Sequence, residues 1–335
     1  MKTAFITGIS GQDGAYLSRF LLGKGYSVIG GDRRTASGSL WRLDKLGILK
    51  DVIIEDFELS EFTNIYRSID KHNICEFYNL AAQSFVGASF EMPTMTADIS
   101  GMGVLRVLEA IRQVNPEIKF YQASSSEMFG KVREVPQNET TPFYPRSPYA
   151  IAKVFGHWCA VNYRESFNMY CSSGILFNHE SPLRGNEFVT KKIVNNVKKI
   201  IKGEQDYFEI GNLNAKRDWG YAPEYVEMMW KMLQLDKADD FVIATGENHS
   251  VRELIEYAFM YVGVDIKWQG KGNEEHGIDV KSNKIRVKIN KKYYRPAEVD
   301  SLIGDASKAK SKLNWQTKTK FKDLVSIMMS DSLEC

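Results

Sequence analysis

Tyr149 and Lys153 form the pair whose residue types and spacing most directly suggest proton transfer. They are four positions apart, so on a helix their side chains share one face. A nearby ammonium group stabilises a tyrosinate, and the N-terminus of a helix acts in the same direction. The pair therefore predicts a phenol whose pKa is drawn toward neutrality and which serves as a general base. Ser125 and Glu127, a short distance upstream, add a hydroxyl and a carboxylate.

The surrounding sequence supplies the helix that this pair requires. Ser147 is a favoured N-cap residue, and Pro148 is favoured at the first helical position. A Tyr-x-x-x-Lys pattern arises easily by chance in a chain with 16 tyrosines, but no other tyrosine here has lysine at the fourth following position. Ser125 and Glu127 strengthen the prediction, because both come just after the strand-like segment 119–124.

A glycine-rich turn lies at the start of the chain. Thr3–Thr7 is apolar and β-branched, as expected of a short buried strand, and the segment GISGQDG then leads into a helical pattern. In such a unit the glycines allow a tight turn, and free N–H groups at the helix start receive a pyrophosphate. The G-x-x-G-x-x-G spacing differs from G-x-G-x-x-G, but the flanking strand and helix favour dinucleotide binding.

The end of the second predicted strand, 27–31, bears on which dinucleotide binds. An acid at this point holds the adenosine 2′-hydroxyl, whereas an arginine accepts a 2′-phosphate. Arg33 and Arg34, with two hydroxyl residues nearby, favour a phosphate and hence NADP. Asp32 keeps NAD open as the alternative.

Further segments alternate between strand and helix patterns. Strands are predicted at 51–56, 76–83, 119–124 and 170–177, with intervening helices near 62–72 and 98–114. The alternation predicts an α/β fold with a Rossmann-type, doubly wound parallel sheet. Ligands bind beyond the carboxyl ends of such strands, which is where Leu80–Ser84 and Ser125 are expected to lie.

The pattern changes after Phe177, where helices alternate with loops and isolated strands. We therefore predict an NADP-binding Rossmann domain over residues 1–177 and a smaller, mixed α/β cap over 178–335 that mainly binds substrate, with some segments returning to the sheet. Residues 266–292 are rich in lysine and glycine and are predicted to form a flexible loop or a hairpin. Arg217, two residues before Trp219, suits the grip of a diphosphate and the stacking of a base.

Composition narrows the class of protein. The 335 residues carry a net charge of +2, which does not indicate nucleic-acid or membrane binding, and 43% are hydrophobic, enough for a large core. The four cysteines lack the spacing of a zinc site, no metal site is predicted, and reduced thiols favour a cytoplasmic protein. The N-terminal apolar run is too short for a signal peptide, and no run approaches the ~20 residues of a membrane helix.

Long motifs spread along the chain resemble those of the extended short-chain dehydrogenase/reductase family. They include ITGISGQDGAYL, YNLAAQSFVGASFE, SSSEMFG, TPFYPRSPYAIAK, GILFNHESPLRG, KRDWG and YRPAEVDSLIGD. Within that family, the motifs are most similar to those of the members that dehydrate GDP-mannose. The resemblance extends from about Thr3 to about Val325, nearly the whole chain.

The resemblance implies a set of ligands and contacts. NADP is the implied cofactor, a GDP-sugar is the implied substrate, and the protein is expected to form homodimers or homotetramers. The implied cofactor contacts are Gly8, Ile9, Ser10, Gly11, Gln12, Asp13, Arg33, Arg34, Glu58, Leu59, Leu80, Ala81, Ala82, Gln83, Ser84, Lys153, His179 and Arg184. The implied substrate contacts are Ser84, Asn178, Lys192, Arg217, Arg295 and Glu298.

The resemblance also implies a lyase reaction, the conversion of GDP-mannose to GDP-4-keto-6-deoxymannose by oxidation at C4, loss of water across C5 and C6, and reduction at C6. Tyr149, assisted by Lys153 and close to Ser125, would remove the proton of the C4 hydroxyl, and Glu127 would act at C5 and C6. Two acid–base groups are needed because these carbons lie apart. The family has Thr at the position of Ser125, and commonly Tyr at the position of Met95, so the preferred sugar stays open.

Three other functions are compatible with these residues. The same 4,6-dehydration could act on another GDP-sugar, such as a GDP-manno-heptose. A nucleotide-sugar 4-epimerase would need Tyr149 and Lys153 but not Glu127. An inactive NADP-binding subunit is disfavoured, because Ser125, Glu127, Tyr149 and Lys153 are all present.

Overall fold

The computed structural model of the chain describes residues 1–35, 38–294, 297, 299 and 301–333. The strands are β1 (Thr3–Thr7), β2 (Ser27–Asp32), β3 (Val52–Asp56), β4 (Glu76–Asn79), β5 (Lys119–Ser125), β6 (Cys171–Leu176), β7 (Asn178–Glu180), β8 (Phe208–Ile210), β9 (Lys216–Arg217), β10 (Trp219–Tyr221), β11 (Phe241–Ile243), β12 (His249–Ser250), β13 (Ile266–Gln269), β14 (His276–Asp279) and β15 (Ile285–Ile289). Seven of them form one parallel sheet in the order β11-β6-β5-β4-β1-β2-β3.

Helices follow most of these strands. They are α1 (Gln12–Gly23), α2 (Trp41–Lys45), α3 (Phe62–Asp70), α4 (Val86–Glu91), α5 (Pro93–Ala97), α6 (Gly103–Val114), α7 (Pro148–Phe167), α8 (Val189–Ile201), α9 (Ala222–Leu233), α10 (Val251–Tyr261), α11 (Ser307–Leu313) and α12 (Phe321–Leu333). Short 3₁₀ turns occur at Leu49–Asp51, Ser126–Met128, Gly272–Glu274 and Lys291–Tyr293, and a π turn at Asp98–Met102. Among the residues described, no helix is long and apolar enough to cross a membrane.

Both faces of the parallel sheet are covered, because successive side chains of a buried strand point to opposite sides. On one face, the rings of Phe77 and Phe5 stack with centroids 5.0 Å apart, and Phe120 continues the row at 6.0 Å. This face packs against α3, α6 and α7. On the other face, Ile6 and Tyr78 pack against α1 and α9. The predicted Rossmann-type, doubly wound sheet is therefore confirmed.

Three of the predicted elements have different limits in the structure. The strand predicted at 76–83 ends at Asn79, because the N–H groups of Leu80 and Ala81 both donate to Oγ1 of Thr7 at 3.0 Å instead of extending the ladder. The helix predicted at 98–114 begins as the π turn and becomes α-helical at Gly103. Residues 266–292 contain the antiparallel strands β13, β14 and β15, so the hairpin alternative was right.

The chain beyond residue 177 contributes to two regions. Helices α8, α10 and α12 enclose a second apolar core with the sheet β13-β14-β15-β8. Strand β11 returns to the edge of the main sheet beside β6, and α9 packs on its face. Segments thus return to the sheet, as expected of the cap. The division into domains at residues 1–177 and 178–335 stays a prediction.

Candidate active site

Helix α7 begins where the sequence predicted and carries Tyr149 and Lys153 into the interior. The side chain of Ser147 caps the helix by accepting from the N–H of Ala150 at 3.1 Å, and Pro148 occupies the first turn. Nζ of Lys153 donates to the carbonyl oxygen of Ala123, in β5, at 2.7 Å. Tyr149 and Lys153 are only 8% and 4% exposed, so both face the end of β5 rather than solvent.

Ser125 lies close to two of the other three predicted catalytic residues, Glu127 and Tyr149. Its Oγ accepts from the backbone N–H of Glu127 at 3.2 Å, which caps the 3₁₀ turn after β5. Its hydroxyl also lies close to the phenol of Tyr149 and acts to lower the pKa of that phenol. The structure therefore brings Ser125, Glu127, Tyr149 and Lys153 together, as predicted.

The electrostatics of the phenol differ from the prediction. Burial is the largest influence on Tyr149 and, together with the nearby Glu127 carboxylate, raises its pKa to about 12, although the Ser125 hydrogen bond and the charge of Arg184 act in the opposite direction. Burial also lowers the pKa of Lys153 to about 8. The expectation that Lys153 draws the phenol toward neutrality was wrong for this structure, because burial outweighs the ammonium, which points to the carbonyl of Ala123.

Arg217 lies beside Glu127, a contact that the sequence did not predict. Nε of Arg217 is 3.9 Å from Oε1 of Glu127, and Nη1 donates to the carbonyl oxygen of Val299 at 2.6 Å. The proposed stacking of a base on Trp219 was wrong, because Trp219 is buried with its ring stacked on that of Phe321, the centroids being 5.7 Å apart.

The glycine-rich turn forms as predicted and is tightly packed. Gly8 has a positive φ of 69°, and a Cβ there would lie 3.0 Å from the backbone of Ala81. A Cβ on Gly14 would lie 2.4 Å from the carbonyl oxygen of Gly8. The N-cap of α1 is Gly11, which has no side chain to accept from the first N–H groups of the helix. Those N–H groups suit an anion.

Asp13, at the start of α1, pairs with His179. Nε2 of His179 lies 2.7 Å from Oδ2 of Asp13, and Nδ1 lies 2.8 Å from the carbonyl oxygen of Phe177. Both neighbours accept hydrogen bonds, so this geometry favours the doubly protonated imidazolium. Burial alone would lower the pKa of His179, but the charge and hydrogen bond of Asp13 reverse this and raise it. Burial likewise opposes ionisation of Asp13, but His179 brings its pKa below the ordinary value.

Asp32 and the two arginines that follow β2 have different surroundings. The carboxylate of Asp32 accepts from the hydroxyls of Ser10 and Ser39, at 2.8 and 2.5 Å. Arg33 and Arg34 are exposed. Asp32 is thus engaged within the protein, whereas the guanidinium groups face solvent.

Two of the predicted ligand contacts carry buried oxygen atoms that lack a partner in the described part of the chain, Oε1 of Gln83 and Oδ1 of Asn178. Such atoms cost free energy unless a ligand or water supplies a donor. Nε of Arg184 lies 3.1 Å from Oε2 of Glu180.

The other predicted contacts have varied surroundings. Ser84 is exposed, Glu58 is half-buried, Leu59 is buried against α6, and Nζ of Lys192 lies 3.5 Å from the ring centroid of Tyr293. Arg295 and Glu298 lie outside the described residues.

Sequence comparisons place the chain among proteins that share most of its length. A sequence profile described as GDP-mannose 4,6 dehydratase matches residues 5–328. A GDP-mannose 4,6 dehydratase of Drosophila melanogaster is 50% identical over 344 residues, covering 99% of this chain and 86% of the relative. The Homo sapiens protein is 50% identical, with coverage of 99% and 92%, and that of Vibrio cholerae is 47% identical, with coverage of 99% and 94%.

Comparisons of structure find the same fold in more distant proteins. A dTDP-glucose 4,6-dehydratase from Streptomyces venezuelae with NAD and TYD bound superposes with a TM-score of 0.83 at 18% identity, covering 99% of this chain and 97% of the other. A Thermus thermophilus UDP-glucose 4-epimerase in complex with NAD gives 0.80 at 21% identity and 99% coverage of both chains. RMD from Pseudomonas aeruginosa complexed with NADPH gives 0.77 at 18% identity and full coverage of both.

The Asp13–His179 pair predicts a pH-dependent stability. A raised pKa means that the pair stabilises the fold fully below the unfolded value of 6.5, and that this contribution is lost as pH rises through the folded value. We expect His179→Gln to destabilise the protein by about 3 kcal/mol near pH 6 and by clearly less near pH 9, in urea unfolding at each pH. His276→Gln, at a half-buried histidine whose Nδ1 lies 2.8 Å from the carbonyl oxygen of Glu274 and not beside a carboxylate, is the control. An equal loss at every pH would contradict the assignment.

Proposed function

Because the chain belongs to the GDP-mannose 4,6-dehydratase family, we propose that it converts GDP-mannose to GDP-4-keto-6-deoxymannose. The observation that carries the proposal is the placement of Glu127 near Tyr149, with Ser125 hydrogen-bonded to the backbone of Glu127 and close to the phenol. The reaction requires one base for the C4 hydroxyl and another group for C5 and C6. A 4-epimerase would require only the tyrosine.

A nicotinamide cofactor is part of this proposal. The residues that would hold it are the turn Gly8–Asp13, the segment Leu80–Ser84 and Lys153, and the tight, uncapped turn before α1 supports a bound pyrophosphate. When bound, the nicotinamide supplies the oxidant at C4 and the reductant at C6. NADP is favoured over NAD, because Asp32 is engaged by two serine hydroxyls while Arg33 and Arg34 remain exposed.

Tyr149 takes the proton of the C4 hydroxyl in the first step. The Ser125 hydroxyl lies close to the phenol and acts to lower its pKa, so it stabilises the phenolate that this step requires. Lys153 anchors the helix to β5 through Ala123 and keeps its ammonium near the phenol ring, 5.8 Å from the centroid. A pKa of about 12 means that the phenol ionises poorly on its own, so positive charge brought in with the ligands aids its deprotonation.

Glu127 acts after oxidation at C4, because the new ketone makes the C5 proton acidic. The carboxylate removes this proton as the C6–O bond breaks, and it passes a proton to the departing hydroxide, which leaves as water. Reduction at C6 and return of one proton to C5 complete the cycle and restore Tyr149 and Glu127 to their starting states. Atoms balance as the loss of one water from GDP-mannose.

The predicted substrate contacts are compatible with a bound GDP-sugar. Asn178 offers its unpartnered oxygen to a sugar hydroxyl, and Ser84 and Lys192 are further polar side chains among the implied contacts. Arg217 adds a cation, and the roles of Arg295 and Glu298 rest on the resemblance alone. No contact favours a GDP-manno-heptose over GDP-mannose, and the relatives carry the name of the mannose enzyme.

A homodimer or homotetramer is also part of the proposal. Helix α7 has a second stripe, opposite the one that bears Tyr149, on which Ile151, Phe155 and Trp158 are 59%, 43% and 56% exposed. Met95 and Met102, on the adjoining α5 and π turn, extend this apolar surface. An exposed apolar area of this kind favours contact with another copy of the chain.

Mass spectrometry of the nucleotide sugar tests the reaction. With GDP-mannose and NADP present, we expect a product that has lost one water, and Glu127→Gln should stop after oxidation at C4 with reduced cofactor accumulating. The rate of product formation should fall at least about 100-fold, as for loss of a general base.

Other outcomes with the same protein and substrates would indicate the alternative functions. A product with unchanged mass and inverted C4 would indicate an epimerase. A GDP-manno-heptose turned over with much higher kcat/KM than GDP-mannose would overturn the substrate. Tight NADP binding without turnover of any GDP-sugar would indicate an inactive subunit.

Arg33→Ala tests the choice of dinucleotide. Loss of a guanidinium facing the 2′-phosphate should weaken NADP binding at least about 10-fold and leave NAD binding nearly unchanged, because NAD lacks that phosphate. Isothermal titration with both cofactors measures this difference. Lys50→Ala, which removes an exposed cation elsewhere in the same half of the chain, is the matched control. Equal weakening of both cofactors would refute the 2′-phosphate contact.

Ile151→Arg tests the association of copies. A charge placed in the apolar stripe of α7 must be desolvated on assembly, so we expect the dissociation constant to rise at least about 10-fold. Sedimentation velocity over a range of protein concentrations measures it. Met260→Arg, at an apolar side chain that is 57% exposed on α10, is the control. An unchanged assembly in Ile151→Arg would exclude this surface.

A further inference from the structure

We propose that Arg217 is a positioning residue for Glu127, a role distinct from the substrate contact that the family resemblance implies. This inference rests on the proposed function, because it gives Arg217 a part in removal of the C5 proton. Its basis is the burial of two opposite charges side by side. Nε of Arg217 lies 3.9 Å from Oε1 of Glu127, and the side chains are 9% and 10% exposed.

Arg217 is held in place from several directions. Its backbone belongs to β9, which pairs with β12, and its Nη1 donates to the carbonyl oxygen of Val299 at 2.6 Å. The next residue, Asp218, is fully buried, and its carboxylate accepts from the backbone N–H groups of Thr245 and Gly246 at 2.9 Å each. A guanidinium fixed in this way supports a neighbouring charge at a constant place.

The chemistry of Glu127 requires such support. A carboxylate must be ionised before it accepts a proton, and a buried carboxylate is costly unless opposite charge or hydrogen bonds compensate for lost hydration. The guanidinium of Arg217, 3.9 Å away, supplies opposite charge beside this carboxylate. The distance of 3.9 Å between Nε and Oε1 is longer than a hydrogen bond, so Arg217 acts on the charge of Glu127 by electrostatic attraction.

The two roles for Arg217 predict different kinetics. A residue that only binds the diphosphate contributes equally to ground state and transition state, so its loss raises KM and leaves kcat unchanged. A residue that supports Glu127 affects only the steps at C5 and C6. Its loss lowers kcat, while oxidation at C4 by Tyr149 continues.

Arg217→Gln and Arg217→Lys, compared in the full chain, distinguish these roles. For Arg217→Gln we expect kcat to fall about 10- to 100-fold and reduced cofactor to accumulate in a single turnover. The kinetic isotope effect with GDP-mannose deuterated at C5 should increase. Arg217→Lys keeps the charge and should recover most of kcat. A merely structural role would leave the isotope effect unchanged.

A double-mutant cycle with Glu127→Gln completes the test. If Arg217 acts through Glu127, then Arg217→Gln lowers kcat no further once the carboxylate is gone. If the losses in kcat of the two single variants multiply in the double variant, or if Arg217→Gln raises KM alone, the inference is overturned. The proposed function still stands in that case, provided that the parent protein forms the dehydrated product. If Arg217→Gln does not fold, Arg217→Lys decides: a small fall in kcat with unchanged KM supports the inference, and a raised KM with unchanged kcat overturns it. A parent protein that forms no dehydrated product refutes the proposed function and this inference with it.

Discussion

The hydrogen bond from Lys153 to the carbonyl oxygen of Ala123 sets the register between α7 and β5, on which the rest of the site depends. One turn of a helix covers about 5.4 Å, and two residues of a strand cover about 6.6 Å. With the helix running against the strand, fixing Lys153 at Ala123 therefore brings Tyr149 to Ser125. Because these two distances are similar, two residues four positions apart on the helix lie opposite two residues two positions apart on the strand. A shift of either element by one residue would turn the phenol away from Ser125.

Charged side chains can be buried at this site because each lies beside an opposite charge from a distant part of the chain. Asp13 meets His179, and Glu127 meets Arg217. In each pair one residue comes from the first 177 positions and the other from beyond them. Removing a partner would leave an uncompensated charge in a poorly hydrated place, which costs far more than the pair contributes as a whole. The pairs therefore act mainly to specify how the two parts of the chain meet.

Local features of the site could be predicted from the sequence, and long-range features could not. The cap at Ser147 and the turn at Gly8 depend on residues a few positions apart, and both formed as predicted. The pKa of Tyr149 depends on how completely the fold removes water, which no spacing reveals, and burial reversed the expected direction. Trp219 was expected to face a ligand, but its partner Phe321 lies about a hundred residues away. Asp13 and His179 are 166 positions apart. The only indication of their pairing in the sequence is that each of the two motifs contains an ionisable side chain.

The packing of α9 shows why the division of the chain at residue 177 cannot also divide its function. Met228, Met229 and Met232 are fully buried and pack in the same core as Leu17 of α1 and Tyr121 of β5. This helix covers the face of the sheet behind the glycine turn, although it follows the strand that carries Arg217. A fragment ending at residue 177 would expose that apolar face and lose His179 and Arg217 together. The glycine turn, Tyr149 and Glu127 therefore depend on a sheet that the later part of the chain completes, through α9 on its face and β11 at its edge.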